Sequence, residues 1–125
     1  MAADFADTFA TLRGMLKRHA ARLVVTADTP TDFMVGSAEK QDRIGRPLFV
    51  AGVQIRKNYV SYHLMPVYAI PSLVKTLSPE LKKRKQGKGC FNFKTIEPEM
   101  VKELSEITKI GISKFRTMAL PWEKR

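Results

Sequence analysis

The sequence predicts an α+β domain in which an antiparallel sheet of about five strands is packed by N-terminal and C-terminal helices. Three observations carry this. Apolar residues recur at helical spacing near both ends, and β-branched and aromatic residues cluster between turn signals in the middle. At 125 residues the chain is long enough for one core and too short for two stable ones.

Phe5, Phe9, Leu12 and Leu16 fall on one helical stripe with Asp7, Arg13, Lys17 and Arg18 between them, which predicts an amphipathic helix over residues 4–19. Residues 22–26 and 33–37 read as a strand pair joined by the turn formers Asp28, Thr29, Pro30 and Thr31. The polar stretch 38–46 reads as a loop. Residues 48–55, apolar on both faces, and 59–64 form the strongest strand pair, with Lys57 and Asn58 at a tight junction whose positive φ Asn tolerates. Pro66 and Pro71 bracket short helical turns that continue through Leu73, Val74 and Leu77. Ser78 before Pro79 and Glu80 predicts an N-cap with proline at the first position of a short helix. Past Gly87 and Gly89, residues 90–93 are strand-like. Glu97-Pro98 then opens a last helix in which Val101, Leu104, Thr108, Gly111 and Phe115 keep helical spacing as far as Met118, ahead of Pro121. This order leaves one sheet face accessible, and its edge strand near Cys90 is available for pairing in a homodimer.

Twenty-two Lys and Arg against 12 Asp and Glu give a net charge of +10, while 44% apolar residues place the chain among folded globular proteins. A single cysteine excludes an internal disulfide and a thiolate zinc site built from this chain alone, and it fits a reducing compartment. Asp4 and Asp7 stand where a secretory signal would be basic, and the longest uncharged stretch, residues 59–74, is too short and too polar to span a bilayer. A cytoplasmic protein without membrane insertion is expected.

Catalytic patterns are sparse. Cys90 with His63 or His19 is the one thiol–imidazole combination, and without a visibly basic, partly exposed setting Cys90 reads as a packing thiol and His63 as a strand histidine satisfied locally. There is no His-Glu-x-x-His, no cysteine pair and no Gly-x-Ser-x-Gly. Gln86-Gly87-Lys88-Gly89 reads as a turn into a strand, since a phosphate-binding loop would place its glycines after a strand. The expectation is therefore a non-enzymatic binding domain for a small anionic ligand or a protein partner. Its site residues would be Tyr59, Tyr62, His63 and Tyr68 on or beside the central hairpin, with Lys82, Lys83, Arg84, Lys85 and Lys88 at the rim.

Charge is unevenly spread. Six cations against Glu80 alone give residues 80–94 a local net of +5, whereas residues 97–106 hold four acids against Lys102 for a net of −3. The basic run admits weak, salt-sensitive nucleic-acid binding. Phe91 and Phe93 alternate away from Cys90, Asn92 and Lys94 and read as core, which leaves no ring there for a base. Glu99, Glu103 and Glu106 share a helix face as ligands of a hard cation would, but Lys102 and Lys109 are spaced to pair with them as a solvated surface.

Gly45-Arg46-Pro47-Leu48-Phe49-Val50-Ala51-Gly52, the hairpin from Lys57-Asn58-Tyr59 to His63, Glu80-Leu81-Lys82, Lys88-Gly89-Cys90-Phe91-Asn92-Phe93 and the Glu97-Pro98 helix together resemble the YdhG-like family of bacterial domains. The resemblance spans roughly residues 40–118, and its most specific piece is Lys88, Gly89 and Phe93 at a strand start after a basic helix end. It implies a helix-and-sheet domain of the secretion-chaperone-like type. One branch of the family is described as frataxin-like iron chaperones, which implies iron as cargo and Glu99, Glu103 and Glu106 as its ligands. The family's Tyr-Gly-Met-Pro stretch is replaced here by Phe33-Met34-Val35-Gly36-Ser37-Ala38, and a net charge of +10 is unlike an anionic iron-donor surface.

Overall fold

The computed structural model describes residues 2–21, 23–41, 44–86 and 89–117. Helix α1 (Ala2–Arg18) turns Phe9, Leu12, Met15 and Leu16 inward, the stripe its spacing demands, and leaves Gly14, Lys17 and Arg18 in solvent. Four strands follow as successive hairpins, β1 (Leu23–Asp28), β2 (Asp32–Gln41), β3 (Pro47–Ile55) and β4 (Val60–Leu64). The chain then crosses through α2 (Met65–Ala69), a 3₁₀ turn (Pro71–Thr76) and α3 (Pro79–Arg84) to β5 (Lys85–Gln86) and β6 (Cys90–Phe93), and ends in α4 (Pro98–Thr117). Met118 and Pro121 lie outside the described residues.

The sheet is antiparallel throughout, in the order β1-β2-β3-β4-β6-β5, so β6 inserts between β4 and the strand that precedes it in the chain. It has six strands where about five are expected. The extra one, Lys85–Gln86, pairs with Phe91 and Cys90 and takes the edge, so the strand of Cys90 is interior and the expected edge at Cys90 is corrected. Two residues are too few for alternation to announce a strand. Strand β2 likewise runs on to Gln41, opposite Pro47, through the first part of the expected loop 38–46. Polar side chains at a sheet end do not prevent backbone pairing.

The β3–β4 register sets Ala51 against Leu64, Val53 against Tyr62 and Ile55 against Val60, and β6 adds Phe91 beside Tyr62 and Phe93 beside Val60. Because successive side chains alternate, these all face the helices. Leu104, Ile107, Ile112 and Phe115 of α4 close the core with α1. Two polar contacts fix α4 on the sheet side and on α3. Tyr62 Oη and Thr108 Oγ1 lie 2.5 Å apart, both fully buried. Ser78 caps α3 by accepting from the Leu81 amide at 3.2 Å, while its own N–H and hydroxyl donate to the Glu103 carboxylate at 2.6 and 2.7 Å.

Gly111 lets α2 approach α4, since a Cβ there would lie 2.8 Å from Pro66 Cβ, whereas a Cβ at Gly14 would meet nothing within 4 Å. Gly14→Ala should therefore gain about 0.5–1 kcal/mol from helix propensity. Gly111→Ala carries the same gain against about 1–3 kcal/mol of overpacking and should be destabilising on balance. Urea denaturation of the two variants checks the opposite signs. Tyr62→Phe should lose about 1–3 kcal/mol because Thr108 is stranded without a partner, and adding Thr108→Val should restore most of it; a double-mutant cycle measures the coupling.

Candidate functional site

The face of the sheet opposite the core is built by the other half of the alternation. Asp32 stands against Gln54, Gln54 against Ser61, Gly52 against His63, His63 against Cys90, and Ser61 against Asn92. Directly opposed side chains on one face lie within reach of one another, and diagonal ones within reach when long. The register thus lines up one polar row across four strands.

That row is hydrogen-bonded from end to end. Cys90 Sγ lies 2.9 Å from His63 Nδ1, His63 Nε2 lies 3.0 Å from Gln54 Oε1, and Gln54 Nε2 donates to Asp32 Oδ1 at 2.7 Å. Arg56 Nη2 also donates to Gln54 Oε1, at 3.0 Å. The direction of every proton follows from the two ends. Arginine can only donate and an ionised carboxylate can only accept, so the Gln54 amide has its oxygen toward Arg56 and His63 and its nitrogen toward Asp32. His63 must then donate from Nε2, which leaves Nδ1 as a lone-pair acceptor for the Cys90 S–H.

The imidazole is also held sterically. Strand β3 bulges between the pairs Val35↔Ala51 and Gly36↔Phe49, and that extra residue moves Phe49 from the core face, where alternation would put it, to the open face. There its ring meets His63 edge-on, with centroids 6.3 Å apart at 69°. Gly52 makes the room, because a Cβ there would lie 2.1 Å from Met34 Sδ and 3.3 Å from the Phe49 ring.

Burial lowers the His63 pKa below its usual value of 6.5, and Arg56 adds to the effect. Burial raises the Cys90 thiol above 9.0, against the pull of Arg56 and Lys85. The resting pair is a neutral thiol on a neutral imidazole. Hydrogen bonds from Thr31 and Gln54 hold the Asp32 carboxyl below its usual range, which keeps the far end of the row anionic.

Two concavities share His63 and Cys90 as a common wall. One, of about 350 Å³, is apolar and lined by Phe49, Leu64, Met65 and Tyr68. The other, of about 690 Å³, is polar and cationic, with Arg56, Lys57, Tyr59, Ser61 and Asn92 around it and no carboxylate among the described residues.

Of the residues the sequence singles out, His63 walls both concavities, Tyr68 lines the apolar one and Tyr59 the polar one. Tyr62 does not; it is fully buried on the opposite face against Thr108, so its place in the site is corrected. Lys82, Lys83 and Arg84 are exposed on α3 and line neither concavity, and Lys85 acts on Cys90 through charge. Lys88 lies outside the described residues. Phe91 and Phe93 are wholly buried and present no ring for stacking. Glu103 is engaged by Ser78, Glu106 faces a separate cleft between α1 and α4 beside Arg18 and Lys102, and Glu99 is exposed in the first turn of α4. Among the described residues no three His, Cys, Asp or Glu side chains are grouped to hold a metal ion. No described helix is long and apolar enough to cross a membrane.

Gln54, Arg56, Phe49, Asp32 and Asn92 are not among the site residues that the sequence singles out. Alternation away from Val53, Val60, Tyr62 and Phe91 would have placed Gln54, Ser61, His63, Cys90 and Asn92 on one face. Compared with protein-family models, with curated proteins and with solved structures, the chain matches none of them.

His63 and His19 both have pKa values below 6.5 in the folded protein, His19 through burial first and then Arg18 and Lys109. The unfolded chain therefore binds protons more readily, and folding stability is complete above pH 6.5 and declines as the pH falls through the lowered folded values. Urea midpoints should drop between pH 7.5 and pH 5, and His63→Gln should flatten the slope; equal slopes in both proteins would contradict the effect.

Proposed function

We propose that this protein binds a small organic anion with an apolar tail, the tail in the pocket beside Phe49, Met65 and Tyr68 and the anionic end beside Arg56 and Lys57. The observation that carries the reading is the shared wall: His63 and Cys90 border an apolar concavity on one side and a cationic one on the other. Ligand sites commonly pair an apolar lining with a few convergent polar groups. The +10 charge strengthens the attraction for anions at the encounter stage. The half-exposed thiol of Cys90 fits a reducing compartment, and a cytoplasmic location belongs to the same reading. The YdhG-like resemblance rests on the motif residues themselves and leaves the ligand class to the site.

Calorimetric titration with hexanoate should give saturable binding, and hexylamine, with the same tail and the opposite charge, should give none. Arg56→Ala should weaken hexanoate binding about tenfold or more, as loss of a charge-assisted hydrogen bond requires. Equal affinity for the amine, or an unchanged Arg56→Ala, would sink the reading.

A further inference from the structure

The polar row does more than line a cleft. A thiol that donates to an imidazole nitrogen, with the other nitrogen tied to a fixed acceptor, is the arrangement of an activated nucleophile with an oriented base. We propose that Cys90 is a nucleophile and His63 its general base, and that the pair accepts an acyl group from an activated carboxylic ester or thioester. The substrate class, though not the nucleophile, rests on the binding reading above.

The geometry supplies each part. The Cys90 sulfur is already 2.9 Å from the base, within the reach general-base catalysis requires. Gln54, oriented by Arg56 and Asp32, keeps the His63 proton on Nε2 and stabilises the imidazolium when Nδ1 takes up the ring's second proton. Gln54 is thus a positioning residue. The acyl chain has the pocket beside Phe49 and Met65, and the departing group has the cationic cleft. Asn92, whose Oδ1 accepts from Ser61 at 2.8 Å, carries amide N–H donors in that cleft, and with Arg56 it offers donors to the oxyanion of a tetrahedral intermediate.

The step balances without an external redox partner. The Cys90 proton passes to His63 Nδ1 as sulfur bonds to the carbonyl carbon. The carbon–oxygen or carbon–sulfur bond to the leaving group then breaks, and the leaving alkoxide or thiolate takes the proton back from His63. The products are S-acyl Cys90 and a free alcohol or thiol. Water hydrolyses the thioester by the same route, with His63 as its base and the Cys90 sulfur as the leaving atom. Because the resting pair is neutral, the proton moves during attack and not before it. Among the described residues, the charged and titratable groups around the pair are Arg56 and Lys57 just past β3, Lys85 on β5, Asp32 through Gln54 on β2, and Tyr59 and Tyr68 at the two rims.

The full chain is mixed with p-nitrophenyl hexanoate, and p-nitrophenolate release is followed together with intact mass and peptide mapping. Wild type should show a burst of one equivalent per chain and a hexanoyl group on Cys90. Cys90→Ser should lose the burst, and His63→Gln, with its fold checked by circular dichroism, should acylate about a hundredfold more slowly. The pH profile separates a base from a structural support. Wild-type acylation should rise with a midpoint below 6.5, whereas His63→Gln should rise only as the thiol itself titrates above 9.0. A wild-type profile that itself rises only above 9.0, or hexanoyl groups on lysines with Cys90 unmodified, overturns the pair. Saturable hexanoate binding without acylation overturns the nucleophile and leaves the binding reading standing; acylation of Cys90 without hexanoate binding upholds the pair and overturns that reading.

Discussion

The pairing of β3 with β4 governs both faces of the sheet at once. Setting Val53 against Tyr62 buries the largest side chain of the core, and the same register sets Gly52 against His63 and Gln54 against Ser61 on the other side. A slip of one residue would exchange the two sets, sending His63 into the helices and Tyr62 into solvent. The apolar burial that holds the register is therefore also what aligns the polar row, and a change of register would alter both faces together.

Local departures from regular structure refine that frame. The β3 bulge moves Phe49 to the side of the sheet where His63 needs a wall, and Gly52 removes the side chain that would otherwise fill the space. At the other end of the sheet, the Arg13 guanidinium lies 4.8 Å over the Phe33 ring and donates to both oxygens of Asp28 at 2.9 and 3.0 Å. Both partners are partly solvated, so the pair adds about 1 kcal/mol or less and serves mainly to seal the end of the core. On the helical side, Tyr62 with Thr108 and Ser78 with Glu103 decide how α4 seats.

Much of the architecture was legible because periodicity is a local property. The stripe of α1, the Ser78-Pro79 cap, the Glu97-Pro98 helix start and the burial of Phe91 and Phe93 follow from neighbouring residues and general stereochemistry. What the residues could not show was partnership. His63 and Cys90 are 27 positions apart; residue types single them out as a thiol–imidazole combination, but only strand pairing shows that they stand side by side. Tyr62 was grouped with His63 by adjacency, although adjacent strand residues point to opposite faces. The basic run is the conspicuous source of cations in the sequence, yet among the described residues the cations that line the cleft are Arg56 and Lys57 from the β3–β4 turn. The bulge at Phe49 and the two-residue β5 carry no compositional mark at all.

That two-residue strand has a consequence for how the site breathes. Strand β6 is protected on one side by the five-residue strand β4 and on the other, among the described residues, by the two-residue β5, Lys85 and Gln86, paired with Phe91 and Cys90. Such a latch opens by local fluctuation at a free energy far below that of global unfolding. Amide protons on the β5 side of β6 should accordingly exchange much sooner than those shared with β4. The edge beside Cys90 thus frays on a timescale independent of the persistence of the core beneath it.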